Sequence, residues 1–157
     1  MKIVKGSLKL VVIVLFLVFA TLQVFRPDFT NPPVVESKTL ESELNVPEEI
    51  ASILERSCRD CHTNRTVYPW YANIQPVGWY LMNHIREGRR ELNFSEWGSF
   101  SNQKKRRKLR EICEQVESRE MPLPSYLLIH REAVLSDEDI KLLCQWTETE
   151  IEKIPEE

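Results

Sequence analysis

Nowhere in this 157-residue chain do apolar and polar residues alternate over a useful length, so the period-two signature of a half-buried β-strand is missing. Also missing is a second Cys-x-x-Cys or any His-x-x-x-His, which leaves Cys58 and Cys61 without the further close-spaced ligands of a structural zinc site. A thioredoxin-like dithiol would follow a strand in an alternating strand and helix pattern, and no such pattern surrounds this pair. No internal repeat is evident, and no cysteine offers lipidation at the amino terminus. What is left is a helical chain with one concentrated chemical signal.

That signal is Cys58-Arg59-Asp60-Cys61-His62. Two thiols three residues apart, followed at once by an imidazole, are what covalent haem attachment through thioether bonds and ligation of its iron require. Cysteines at i and i+3 share one face of a helical turn, so both sulfurs can reach one edge of a porphyrin while His62 supplies the proximal nitrogen. Half of a zinc site, a redox dithiol or a structural pairing are the other readings of the same residues.

Lys2, Lys5 and Lys9 precede an almost unbroken apolar run from Leu10 to Phe25, near the minimum length of a bilayer-spanning helix. A cleaved secretory signal would close on a small-residue site, and Ala20-Thr21-Leu22-Gln23 is a poor one. Residues 1–26 are therefore expected to be a transmembrane signal anchor with its amino terminus in the cytoplasm and the bulk of the chain periplasmic, on the outer face of the inner membrane. Covalent haem attachment in bacteria occurs on that same side. Nucleic acid is not an expected partner there.

Residues 27–46, with Pro27, Pro32 and Pro33 and little apolar periodicity, are expected to be an extended linker that could hold a domain up to roughly 50 Å from the bilayer. Residues 47–157 have the size of one compact domain, and their periodicity is helical. Pro47, Glu48 and Glu49 open a helix whose Ile50, Ile53 and Leu54 form a stripe running into Cys58. Residues 63–75, rich in turn formers and aromatics, look like a loop that wraps a flat ligand. A second helix runs from Pro76 to about Gly88, a third from Asn102 to Glu120 with Leu109, Ile112, Cys113 and Val116 on one face, and a last from Ser136, whose hydroxyl pairs with Asp139 in a capping-box pattern. The expected fold is all-α.

Met121-Pro122 lies between the third and last helices, where a proline would stiffen a loop holding a thioether against iron. The order Cys58-Arg59-Asp60-Cys61-His62, then Met121-Pro122, then Leu135-Ser136-Asp137-Glu138-Asp139-Ile140 resembles small class I cytochromes c. More narrowly, Cys61-His62-Thr63-Asn64-Arg65-Thr66, Tyr68-Pro69-Trp70-Tyr71, Asn93-Phe94-Ser95-Glu96-Trp97 and Met121-Pro122-Leu123 resemble the bacterial membrane-anchored haem-binding domain family. The resemblance implies a cytochrome c-like helical domain with haem c on Cys58 and Cys61, iron on His62, and Met121 as distal ligand. His84 and His130 compete with Met121, and so does an open sixth position. His and Met together suit one-electron transfer to a redox partner protein; an open site suits a haem-based sensor or small peroxidase, with His84 or Arg86 as distal group. A haem-free structural or zinc-binding domain is the third class.

Four weaker features remain. Cys113 and Cys144 sit on apolar helix faces, either as buried thiols or as a disulfide. Trp70, Trp79, Trp97 and Trp146 are expected to pack around the haem. Lys104-Lys105-Arg106-Arg107-Lys108 with Arg110 is a solvated helix face or a docking patch, in a chain of formal net charge -3. Asn64-Arg65-Thr66 and Asn93-Phe94-Ser95 fit the glycosylation pattern but carry no weight.

Overall fold

A computed structural model describes residues 2–156, with side chains from residue 7 onward. Eight α-helices follow in chain order among the described residues: α1 (Lys2–Leu22), α2 (Leu40–Glu43), α3 (Glu48–Ser57), α4 (Arg59–His62), α5 (Val77–Glu91), α6 (Asn102–Glu117), α7 (Pro124–Leu127) and α8 (Asp137–Lys153). Short 3₁₀ turns at Glu36–Lys38, Trp70–Asn73, Phe94–Ser99 and Arg131–Ala133 join them, and no strand occurs among the described residues, so the fold is all-α.

α6 and α8 form the largest helix pair. Arg106 near the start of α6 donates to the carbonyls of Ile151 (2.8 Å) and Ile154 (2.7 Å) at the end of α8, and Cys113 is disulfide-bonded to Cys144 midway along both. The two helices are therefore antiparallel, and the guanidinium sits where α8 has free carbonyls and the negative end of its dipole. Leu109, Ile112 and Val116 from α6 meet Ile140, Leu143 and Trp146 from α8 in one core, which Ile50, Ile53 and Leu54 of α3 complete.

The helix ends follow local chemistry. α3 starts behind Pro47 with Glu48 and Glu49 in its first turn and ends with Arg56, each charge matched to the helix dipole. Ser136 caps α8 in a full capping box with Asp139. α5 runs three residues past its expected stop at Gly88, because that glycine is a contact and not a terminator: a Cβ there would lie 2.9 Å from the Cys61 carbonyl oxygen. α6 ends three residues earlier than expected. Its reversal is a Schellman turn in which Arg119 has φ 59°, Arg119 N–H bonds Val116 O, and Glu120 N–H bonds Gln115 O.

The stretch expected to be a free extended linker is instead tied to the domain. Leu40 is 0 % exposed in the core, Asn31 donates to Thr66 O, and Asn64 donates to Pro33 O. These partners lie about thirty or more residues away, so local composition gave no sign of them. Among the described residues no helix is long and apolar enough to cross a membrane. The described side chains of α1 begin at residue 7, a stretch shorter than the about 20 residues of a span. The side chains of Lys2 and Lys5, read above as orienting that helix, lie outside the described residues.

Candidate functional site

α3 delivers Cys58 to a kink. Its amide still bonds Leu54 O, while its own carbonyl accepts from the amides of Cys61 (3.2 Å) and His62 (3.0 Å), which winds α4 into one turn. Cys58 and Cys61 are both free thiols. Burial pushes the Cys58 thiol up to about 12, with Cys61 adding to it, and burial with Asp60 pushes Cys61 up to about 11. Neither is a thiolate at neutral pH, the reverse of what a nucleophilic redox dithiol needs.

His62 is fixed from behind. Its Nδ1 lies 3.1 Å from Gly88 O and 3.0 Å from Leu92 O; both are pure acceptors, so Nδ1 carries the proton and Nε2 keeps its lone pair. Burial lowers the imidazole pKa against the opposing pull of those two carbonyls, which favours the neutral form that ligates metal.

A cleft of about 310 Å³ opens beside this turn. Cys58, His62 and Met121 all line it, together with the apolar Leu92, Phe94, Ile112 and Val116. Met121 reaches it through the turn at the end of α6: its amide and that of Glu120 share the Gln115 carbonyl at 3.1 Å. Cys61 is not on the lining and packs against Gly88. The proposed competitors are elsewhere. His84 bonds Tyr80 O on α5, and His130 bonds the Tyr71 hydroxyl (2.7 Å) while stacking on Tyr126; neither lines the cleft, nor does Arg86.

Other expectations are corrected here. Residues 63–75 do not line the cleft; their buried polar side chains instead hold the backbone that leaves His62. Asn93 Nδ2 donates to Asn64 Oδ1 (2.9 Å), Asn64 N–H donates to Ser95 Oγ (3.0 Å), and Arg89 donates to Thr63 O (2.8 Å) and Thr66 Oγ1 (2.8 Å). Both glycosylation-pattern asparagines are thus buried and bonded to each other. None of the four tryptophans lines the cleft: Trp97 and Trp146 belong to the core, while Trp70 and Trp79 face outward. The basic run is largely paired, Lys105 with Glu43, Arg106 with Glu156, and Lys108 with Glu111.

Lys108 is the site residue that sequence reading missed. It is 8 % exposed and lines the cleft, with Nζ 2.5 Å from Glu111 Oε2. Its position four residues before Ile112 and eight before Val116 places it on the apolar stripe of α6, and that register was the available signal.

The donor set fits a haem. It offers a neutral imidazole with Nε2 unbonded, a thioether and the un-ionised Cys58 thiol on the same cleft, an apolar wall, and a second un-ionised thiol, Cys61, on the same turn but off the lining. A zinc site fits less well. Among the described residues the one group of three candidate ligands is Cys113, Glu117 and Cys144, whose sulfurs are already bonded to each other. No curated protein and no solved structure matches this chain. A family model described as haem-binding domain does match, over residues 17–149, and by that match across most of its length the chain belongs to the haem-binding domain family.

Proposed function

We propose that the chain is a membrane-anchored carrier of covalently attached haem c that passes single electrons to a partner protein at the outer face of the inner membrane. The observation that carries this reading is the pinned His62, its Nδ1 held by two carbonyls, on the lining of a cleft shared with Cys58 and Met121. Cys58 and Cys61 would hold the haem by thioether bonds, His62 would be the proximal ligand and Met121 the distal one. When bound, the haem supplies a one-electron couple whose potential a His and Met ligand pair raises. The chain's own part is positioning. Gly88 O and Leu92 O keep the imidazole from rotating, the Schellman turn presents Met121, and Leu92, Phe94, Ile112 and Val116 exclude water.

α1 would be the anchor. The apolar run from Leu10 to Phe25 begins inside it, directly after Lys9. Every large apolar side chain from Leu8 to Phe19 is exposed, which the aqueous phase would not favour.

Lys108 and Gln115, polar groups on the same cleft, favour a second reading, a haem-based sensor or small peroxidase with an open distal site. Export in cells competent for cytochrome c maturation, followed by an absorption spectrum and a haem-stained denaturing gel, tests the first point. Haem that survives denaturation in the native chain but not in Cys58→Ala/Cys61→Ala is expected; a folded, exported, colourless protein overturns the proposal. Carbon monoxide binding to the reduced native chain, with Met121 intact, would decide for the second reading.

A further inference from the structure

The outward-facing aromatic surface of the domain lies where α1 ends. Gln23, one residue past α1, bonds Gln75 in both directions: its Nε2 donates to Gln75 O (3.1 Å) and its Oε1 accepts from Gln75 N–H (2.9 Å). Trp79 Nε1 donates to Phe25 O at 2.7 Å. The end of the apolar helix is thereby fastened to the segment carrying Val67, Trp70, Ile74, Val77, Trp79 and Tyr80, all exposed, Val67 and Trp70 at 76 %. Tyr80 extends this surface by donating to Ser125 Oγ (3.1 Å) at α7, next to the exposed Leu128 and Ile129. Val24 and Phe25 continue it back into α1.

We infer that this face is a lipid-docking surface, seated in the headgroup and acyl boundary of the bilayer that α1 enters. Three observations select lipid as the occupant. The face is continuous with the exposed apolar surface of α1, so a bilayer reached by one is reached by the other. Its aromatic residues are Trp70, Trp79 and Tyr80, side chains of the types that belong at that depth, set among exposed aliphatic ones. Arg26, just past α1, has no carboxylate partner among the described residues and is placed for a phosphate headgroup. The consequence is a domain held flat on the membrane, and not at the end of a tether. This rests on the proposed anchoring by α1.

The test uses the full chain in lipid nanodiscs, with the same preparation measured in lipids with and without bromine on the upper acyl carbons. α1 contains no tryptophan, and Trp97 and Trp146 are buried, so quenching reports Trp70 and Trp79. A clear loss of emission in brominated discs, abolished in Trp70→Phe/Trp79→Phe, is the expected result. Chain that co-purifies with the disc yet shows equal emission in both lipids overturns the docking surface and leaves the anchor standing. Chain that does not enter the disc at all overturns both. Trp70→Phe alone, the mildest change at the more exposed position, should remove part of the quenching and guards against a double variant that misfolds.

Discussion

Met121 and Lys108 face the same space with opposite chemistry, a soft thioether and a buried cation. On the proposed ligation by His62 and Met121, Met121→Ala should leave covalently bound haem in place, lower the reduction potential, and let the reduced protein bind carbon monoxide, whereas His84→Ala and His130→Ala should change neither property; spectra and redox titration of the three variants check this. With haem in this cleft as proposed, Lys108→Met would remove a positive charge that favours the reduced iron, and the potential should fall by on the order of 1 kcal/mol, tens of millivolts for one electron. The variant's stability should change little, since Glu111 remains in contact with water. Asn64→Ala acts differently. It strips a partner from Asn93 Nδ2 and from Pro33 O in a buried setting, and the expected loss is about 1–3 kcal/mol in denaturant unfolding. At this scale the candidate motif stood out because its five residues are contiguous, and the structure brings Cys58 and His62 from it to one cleft. Lys108 did not stand out, because a lysine inside a basic run reads as solvated until the neighbouring helices close over it.

Elements were legible where their signals are local. Ser136 and Asp139 announced the start of α8, and Pro47 with two glutamates announced α3, since a cap is decided within four residues. The end of α5 was misread because Gly88 answers to Cys61 across the fold, and residues 27–46 were misread because Leu40 and Asn31 find their partners far along the chain. The capping box also sets an acid limit. Burial pushes the Asp139 carboxyl up, but hydrogen bonds from Ser136 and the Arg56 guanidinium outweigh it and hold its pKa below the usual value. A carboxyl depressed in the folded state binds protons more weakly than in the unfolded chain, so its stabilising effect is full above the unfolded value near pH 4 and is lost as pH falls through the folded one. Asp139→Asn should therefore flatten the acid limb of stability against pH and cost about 1 kcal/mol at neutrality; Tm measured from pH 2 to 7 reads both.

For the whole molecule, the antiparallel pair of α6 and α8 is the frame on which one wall of the cleft hangs. α6 carries Lys108, Ile112 and Val116 and ends in the turn that presents Met121, while Cys58, Cys61 and His62 belong to α3 and α4. Within this pair the Cys113–Cys144 disulfide is the covalent tie, across 31 residues of sequence. It also suits an oxidising compartment, where two further free thiols at Cys58 and Cys61 would be open to mispairing unless they were consumed by thioether formation. In the loop-entropy account, closing a loop of this length contributes about 3–4 kcal/mol. The double variant Cys113→Ser/Cys144→Ser should lose that amount in equilibrium denaturation, with the haem still covalently attached, because none of the residues proposed to attach it lies on α6 or α8. The loss should not fall evenly. Freed from α8, α6 and its terminal turn should loosen before α3 and α4, so carbon monoxide should bind the reduced variant at denaturant concentrations where the intact protein still excludes it. Equal resistance in the two proteins would show instead that helix packing, without the disulfide, holds the Met121 side of the cleft closed.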